Sequence, residues 1–429
     1  MGDIKKMYST ILGDSFPLSM TISFGGQEMV YRKKTWKIRM EDGTFEERGV
    51  RYGENPDQEA ALYELISGNL TLGECKFIDP KKGLVSAIKV EDMLQVGKHP
   101  GKINLTDVDN GLNILQYLSA KPAAVILKHN NPCGAAWTDE GPAAALERAF
   151  VSDRIAAFGG TIALNRSLDK ATAELIDSAY FEVVAAPDYE DGAVDILKRR
   201  KNLRILRIPG IAELSKLSRE PFLDVKSLMD GGVVLQFSFR NRILSAADFL
   251  PAITEKDGNT FAARKPGKQE AEDLLFAWAV EAGVTSNSIL LVRDGVTTAI
   301  GTGEQDRVGC VDLTIAKART KYADLLSFRE LNLSIYELEL KAREDKALFA
   351  KLEDIRGRAL EARGGLPGSV AVSDGFFPFR DGVDLLIAQG VTAIAQPGGS
   401  IRDFEVIQAV NQASPQVAMV FTGQRSFRH

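Results

Sequence analysis

The chain has 429 residues, with 53 Lys+Arg against 58 Asp+Glu and a formal net charge of −5, a length that holds two or three domains at roughly 100–200 residues each. Hydrophobic residues make up 45% and charged ones 26%, enough apolar mass for a sizeable core, which excludes a disordered chain or a coiled coil. A mildly acidic chain with no long basic run lacks the footprint of a nucleic-acid binder, so no nucleic-acid partner is expected, while a local basic pocket for one phosphate stays compatible.

Residues 1–45 mix short apolar pieces with charged turns and read as a small β-rich extension. In RYGENPDQEAALYE, Asn55-Pro56 signals a turn, and from Glu59 onward the composition is helical. From Lys121 on, short β-branched or apolar runs alternate with helical segments, which predicts α/β halves around a largely parallel sheet. PAAVIL (122–127), SVAV (369–372), VTAIA (391–395) and QVAMVF (416–421) each run into a polar, Gly- or Pro-containing segment. Ligands of open α/β sheets sit outside the carboxyl ends of strands, so these segments point to a binding crevice. KQEAEDLLFAWAVEAG (268–283) and the charged block 312–363 predict amphipathic helices, the block serving as scaffold or subunit interface. Segment 240–268 reads as a connection between two halves, and no internal repeat is visible.

Cys75, Cys133 and Cys310 are too few and too scattered for a disulfide framework and form no C-x-x-C pair. The opening MGDIKKMYST lacks the apolar core of a signal peptide, and no apolar run approaches the roughly 18 residues of a membrane span. A soluble cytoplasmic protein without a membrane partner is expected.

Several motifs carry chemistry, each with a plainer alternative. Histidine is scarce, with only His99, His129 and His429. KHNNPCG (128–134) sets Lys128 beside His129 at a strand end, offering an oxyanion stabiliser and a general base; the alternative is a turn with a surface lysine and a capping histidine. Zinc deaminases need H-x-E and P-C-x-x-C; Gly134, Ala135 and Ala136 follow Cys133, so no metal is expected and Cys133 reads as a packed small residue. QPGGS (396–400) leads into a helix near Arg402-Asp403, where free N–H groups can hold an anion, although a lone glycine pair is more often a turn. IGTGEQDR (300–307) is equally open. FFPFRDG (376–382), broken by Pro378, is either a core plug or an aromatic wall for a flat heterocycle with a carboxylate beside it. Asn287 in TSNSI reads as a cap or turn, and RSFRH (425–429) as a frayed tail unless the QVAMVF strand anchors it.

Taken together, RYGENPDQ, KHNNPCG, SDRIAAFGGTIALNR, FEVVAAP, TSNSI, SDGFFPFRDGVD and TGQRSFRH stand in the order and spacing of AICAR transformylase, the formyltransferase part of bifunctional purine-biosynthesis proteins that also carry IMP cyclohydrolase. The resemblance covers roughly residues 46–429 and divides the chain into 1–45, a first half 46–240 and a second half 241–429. With residues 1–45 standing where the cyclohydrolase domain would be, a stand-alone transformylase is expected.

The resemblance implies transfer of a formyl group from 10-formyltetrahydrofolate to the 5-amino group of AICAR. His129 would be the base, Lys128 the positive charge and Asn287 the group that orients the formyl oxygen. Arg51, Tyr52, Gly159, Glu182, Arg307, Phe376 and Arg425 match nucleotide-side positions. Phe158, Pro378, Asp381 and Ser400 match the folate side, with Ile155 and Val308 matching more loosely. The resemblance also implies two related α/β/α halves like cytidine deaminase without its zinc, and a homodimer with shared active sites in which Lys128 and His129 meet the partner's Asn287 and Arg307. It leaves room for a structural monovalent cation.

The sequence departs from the family pattern at Asp57, where histidine is usual, and at Glu304 and Asp306, which replace Gln and Ser beside Arg307; Gly382 and Ala156 are smaller than expected. Acids facing the pocket would repel phosphate or neutralise Arg307. The competing readings are a nucleotide-binding paralogue without chemistry and a metal-dependent deaminase.

Overall fold

The computed structural model describes residues 15–39, 43–73, 75–76, 83–218 and 220–429. Residues 1–14 and 40–42 of the expected extension lie outside the described residues. The chain forms two compact units: the first takes Met1–Pro122, Leu127–Asn130 and Gly159–Arg240, and the second Ala123–Ile126, Asn131–Phe158 and Asn241–His429.

In the first unit, Thr161–Leu164, Val183–Ala186 and Arg204–Arg207 are parallel neighbours, with Met93–Gln95 antiparallel at the edge. Helices Lys170–Asp177 and Ala193–Leu197 form the crossovers; the Asp169 carboxylate caps the former by accepting from Thr172 N–H at 2.7 Å. Helix Lys102–Leu115 lies close to the sheet: a Cβ on Gly111 would stand 2.8 Å from Ala163 Cβ, so only glycine permits this approach.

The expected β-rich extension continues beyond residue 45. Ser19–Phe24, Gln27–Lys33 and Tyr63–Gly68 make an antiparallel sheet, and Trp36–Arg39 pairs with Phe45–Arg48. The helical composition from Glu59 is therefore overruled: Tyr63–Gly68 is a strand whose Leu65 stands opposite Tyr31, because cross-strand pairing outweighs local propensity. The Asn55-Pro56 turn forms, Gln58 N–H donating to Asn55 carbonyl oxygen at 3.1 Å.

In the second unit, the sheet runs Leu250–Pro251, Ala418–Phe421, Ala393–Gln396, Val370–Ser373, Ile289–Arg293, Val296–Gly301 and Asn131–Trp137. The strands beginning at 370, 393 and 418 are parallel, with Asp381–Ala388 and Asp403–Gln412 as crossovers; the others pair antiparallel. The sheet is thus mixed rather than largely parallel. Segment 240–268 is more than a connection, since it supplies the edge strand Leu250–Pro251 and the hairpin Ile253–Lys256/Asn259–Ala262. The charged block resolves into Arg307–Leu331, Ile335–Ala342 and Lys346–Glu361, which bury Ala323, Ile335, Leu338, Leu352 and Ile355 among themselves.

A repeat invisible in the residues is visible in the order of elements. Helix 102–115 precedes the two strands of 123–137, two helices and three parallel strands joined by single helices. Helix 268–281 likewise precedes the two strands of 289–301, a helical block and three parallel strands joined by single helices.

Candidate functional site

Lys128 ends the strand Ala123–Lys128, and the next strand starts at Asn131, so KHNN is a two-residue reversal rather than an open loop. Its corner residues His129 (φ 54°) and Asn130 (φ 61°) both have positive φ, which right-twisted hairpin strands require. Asn131-Pro132, a turn signal in sequence, is not the corner, since Pro132 lies within a strand. Positive φ is unfavourable for histidine, and the first unit holds it through the neighbour. Asn130 N–H donates to Asp107 Oδ1 at 2.6 Å, and Asn110 Nδ2 donates to Asn130 carbonyl oxygen at 2.9 Å. His129 is exposed and Lys128 half-buried. Asp107 is 4% exposed; burial pushes its carboxyl up to about 6, against the Asn130 hydrogen bond and the charge of His129.

Arg51, Tyr52, Gly159 and Glu182 also lie in the first unit. Arg51 is buried, donates from Nη2 to Tyr52 Oη at 2.8 Å and stacks 4.5 Å from the Tyr52 ring centroid. Glu182 accepts from Asn104 Nδ2 at 3.1 Å and from Arg204 Nη1 at 3.3 Å. Gly159 (φ 74°) donates its N–H to Tyr180 carbonyl oxygen at 2.8 Å, and Glu182 N–H reaches Gly160 carbonyl oxygen at 3.0 Å, which joins AAFGG to FEVVAAP.

In the second unit, Asn287 and Arg307 come together. Arg307 opens its helix; Nη2 donates to Asn287 Oδ1 at 3.1 Å, and Nη1 donates to Ser288 carbonyl oxygen at 2.8 Å and to fully buried Asp374 at 2.5 Å. Ser286 Oγ donates to the other Asp374 oxygen. A Cβ on Gly375 would stand 2.7 Å from Arg307 Nη2 and 2.9 Å from the Phe427 ring, so a side chain there would have to displace one or both. Val308 follows Arg307 and is half-buried. Behind them, Ser288 Oγ donates to Glu281 Oε1 at 2.5 Å, and burial raises the Glu281 carboxyl well above the usual range, with Asp374 adding to the rise.

The altered acids do not disarm Arg307. Asp306 turns away to cap the helix, accepting from Gly309 N–H at 2.6 Å, and Glu304 pairs through its backbone with Asn287. The charge on Arg307 is met by Asp374, a residue that the sequence reading passed over.

FFPFRDG divides its phenylalanines. Phe377 is fully buried in the core and its N–H donates to Gln396 Oε1 at 2.8 Å, which ties this loop to the end of the next strand. Phe376 instead faces Arg425, whose guanidinium carbon lies 5.2 Å from its ring centroid. The core-plug reading holds for Phe377. The RSFRH tail is not frayed: Ser426 N–H donates to Asp374 carbonyl oxygen at 3.0 Å, and Arg428 carbonyl oxygen accepts from Ser286 N–H at 2.9 Å.

Among the residues expected on the folate side, Pro378 is half-buried and Asp381 begins helix Asp381–Ala388, its carboxylate accepting from Gly382 N–H at 2.7 Å. Ser400 lies in the QPGGS loop, its Oγ accepting from Arg402 N–H at 3.2 Å ahead of helix Asp403–Gln412. Ile155 sits on the short helix Arg154–Ala157 and packs on the buried helical cluster, while Phe158 is 63% exposed. That short helix is pinned to the 307–331 helix by Arg154–Asp324 at 3.0 Å and Lys321–Asp153 at 2.5 Å. Cys133 is a packed thiol, donating to Ile126 carbonyl oxygen and pushed up to about 12 by burial. Among the described residues, no three His, Cys, Asp or Glu side chains group as metal ligands, and no helix is long and apolar enough to cross a membrane.

Strands and helices together define an α/β protein. The chain belongs to the AICARFT/IMPCHase bienzyme family, whose profile matches residues 24–317. It is similar to the "Bifunctional purine biosynthesis protein PurH" of Magnetococcus marinus, 35% identical over 382 residues, which covers 89% of this chain and 59% of the relative. The proteins of the same name from Roseobacter denitrificans and Xanthomonas euvesicatoria are 36% identical over 382 residues and 37% over 381, each covering 89% of this chain and 59% and 58% of the relative. The chain therefore spans just under three-fifths of the length of these relatives.

Proposed function

We propose that the chain acts in purine biosynthesis as a formyltransferase, moving a formyl group from 10-formyltetrahydrofolate to the 5-amino group of AICAR to give FAICAR. The observation that carries this reading is the order and spacing of the transformylase motifs, KHNNPCG intact among them, with Lys128 and His129 at a strained hairpin tip. The amine of AICAR is a poor nucleophile because its lone pair is delocalised into the carboxamide-bearing ring. Transfer therefore needs a base to take its proton as the carbon–nitrogen bond forms, and a cation or donor for the tetrahedral oxyanion. His129 takes that proton, Lys128 offsets the negative charge and can protonate the departing folate nitrogen, and Asn287 donates to the formyl oxygen. Arg51, Tyr52, Gly159, Glu182, Arg307, Phe376 and Arg425 hold the ribonucleotide. Ile155, Phe158, Val308, Pro378, Asp381 and Ser400 hold the folate.

The repeated order of elements supports two related, cytidine-deaminase-like halves. A cytoplasmic homodimer with shared sites completes the reading. Its support is the hairpin Leu223–Ser227/Val233–Phe237, where Val225, Leu228, Met229, Val233, Val234, Leu235 and Phe237 are all exposed; so large an apolar patch marks an association surface.

The test is spectrophotometric. Tetrahydrofolate should form only when 10-formyltetrahydrofolate and AICAR are both present, and His129→Ala should lower kcat by about 10²–10⁴-fold. A folded wild-type dimer that binds both substrates without turnover would refute the transferase reading in favour of a nucleotide-binding paralogue.

A further inference from the structure

In the first unit two buried guanidiniums stand close enough to influence one another, and one of them is paired with a carboxylate. Arg204 is 1% exposed and Arg51 6%. Arg204 Nη1 reaches the Glu182 carboxylate and the Glu182 carbonyl oxygen, both at 3.3 Å. Arg204 Nε and Nη2 and Arg51 Nε are buried with no hydrogen-bond partner. His99 stands near both arginines without offsetting their charge: burial first, then Arg51, Arg204 and Arg48, bring it down to about 4, which leaves it neutral. Burial likewise lowers Arg204 to about 10, with Glu182 opposing and Arg51 adding to the fall. Donors left unsatisfied and cations crowded together are costly to a fold.

Glu182 is the outward member of the cluster, with its side chain 35% exposed. Arg204 and Asn104 both hold its Oε2, and Asn104 Oδ1 in turn accepts Gly101 N–H at 3.1 Å at the start of helix Lys102–Leu115. Arg204 can therefore act on anything outside the cluster only through Glu182 and through its charge.

We propose that Arg204 is a positioning residue of the ribonucleotide pocket, fixing the Glu182 carboxylate and, with Arg51, leaving the pocket wall one positive charge in excess to meet the ligand's phosphate. This rests on the ribonucleotide reading of the proposed function. The test is calorimetric titration with AICAR together with steady-state kinetics on wild type, Arg204→Met, Arg204→Lys, Glu182→Gln and the Arg204→Met/Glu182→Gln double variant. Arg204→Met should weaken AICAR binding and raise its KM by about ten- to a hundredfold, while the KM for 10-formyltetrahydrofolate stays within about twofold. Arg204→Lys should recover part of the loss because the charge is kept. In the Glu182→Gln background, Arg204→Met should cost less than it does alone, since the two act as a unit.

The proposal is overturned if Arg204→Met binds AICAR like wild type, if both KM values and kcat worsen together, or if the losses in the double variant simply multiply. Should Arg204→Met fail to fold, the single variants Arg204→Lys and Glu182→Gln decide, because wild-type AICAR affinity in both also overturns it. A wild-type protein that binds no AICAR removes the ribonucleotide reading itself, an outcome distinct from wild-type binding that is indifferent to residue 204.

Discussion

Asp107 couples the hairpin tip to stability in a way that one substitution isolates. Its carboxyl is displaced from 3.8 to about 6, first by burial, and such a displacement corresponds to about 3 kcal/mol. A raised carboxyl pKa means that the folded chain binds the proton more tightly than the unfolded one. Stability therefore falls as pH rises from about 4 to about 6, and the full cost is present above that window. Asparagine keeps an oxygen for Asn130 N–H and cannot ionise, so Asp107→Asn should stabilise the protein by about 1–3 kcal/mol near pH 7.5 and by almost nothing near pH 4. His99 tilts the other way. Burial lowers its pKa from 6.5 to about 4, so its contribution is present above the unfolded value and is lost as pH falls through that window. The two opposing slopes overlap, and removing Asp107 should leave a steeper rise of stability with pH. Urea unfolding of wild type and variant at about pH 4.5, 6 and 7.5 reads the difference. Parallel pH curves would refute the reasoning, as would an Asp107→Asn protein less stable than wild type at the highest pH, which would mean that the ionised carboxylate is what holds Asn130.

Two further outcomes follow from the second unit. Arg307→Met leaves Asp374 buried without its counter-charge and should cost about 3–5 kcal/mol of stability together with turnover, measured by denaturant unfolding and by the transferase assay; a variant as stable as wild type would show that Ser286 and water suffice for Asp374. Asp306→Ala removes only the helix cap and should cost about 1 kcal/mol while changing the AICAR KM by less than about twofold, because Asp306 engages Gly309 rather than Arg307. A clear fall in that KM would instead show Asp306 repelling the substrate.

How much of this was legible in the sequence depends on which interactions are local. Strands 370–373, 393–396 and 418–421, and the segments after them, could be read directly because each is a short buried run ended by Gly, Pro or a charge. The His129-Asn130 corner was not, since His-Asn is a rare pair for a reversal that usually takes Asn-Gly, and Asn131-Pro132 is a stronger but misplaced turn signal. Tyr63–Gly68 was misjudged because its partner Gln27–Lys33 lies some thirty residues earlier, beyond any local window. Asp107, Arg204 and Asp374 were missed because a charged residue reads as surface. For Asp107 a signal existed: Asn104, Asp107, Val108, Gly111 and Leu112 recur at helical spacing and are all buried, so the polar residues lie on the apolar stripe, where they need a reason to be.

That stripe bears on how the proposed chemistry is held. A histidine forced to positive φ on a two-residue reversal would relax if its neighbours allowed it, and the strain is sustained only where the surroundings fix the backbone more firmly than it costs. Here the restraint comes from a buried acid and a buried amide one helical turn apart, gripping the N–H and the carbonyl oxygen of Asn130 beside the exposed His129. The second unit follows the same logic with Arg307, whose guanidinium is held by the Asp374 carboxylate and the Ser288 carbonyl oxygen and still donates to Asn287. In both places the proposed reactive group is the visible end of a chain of contacts that includes a buried charge. Loss of the buried member should therefore degrade the site without touching any residue that meets substrate.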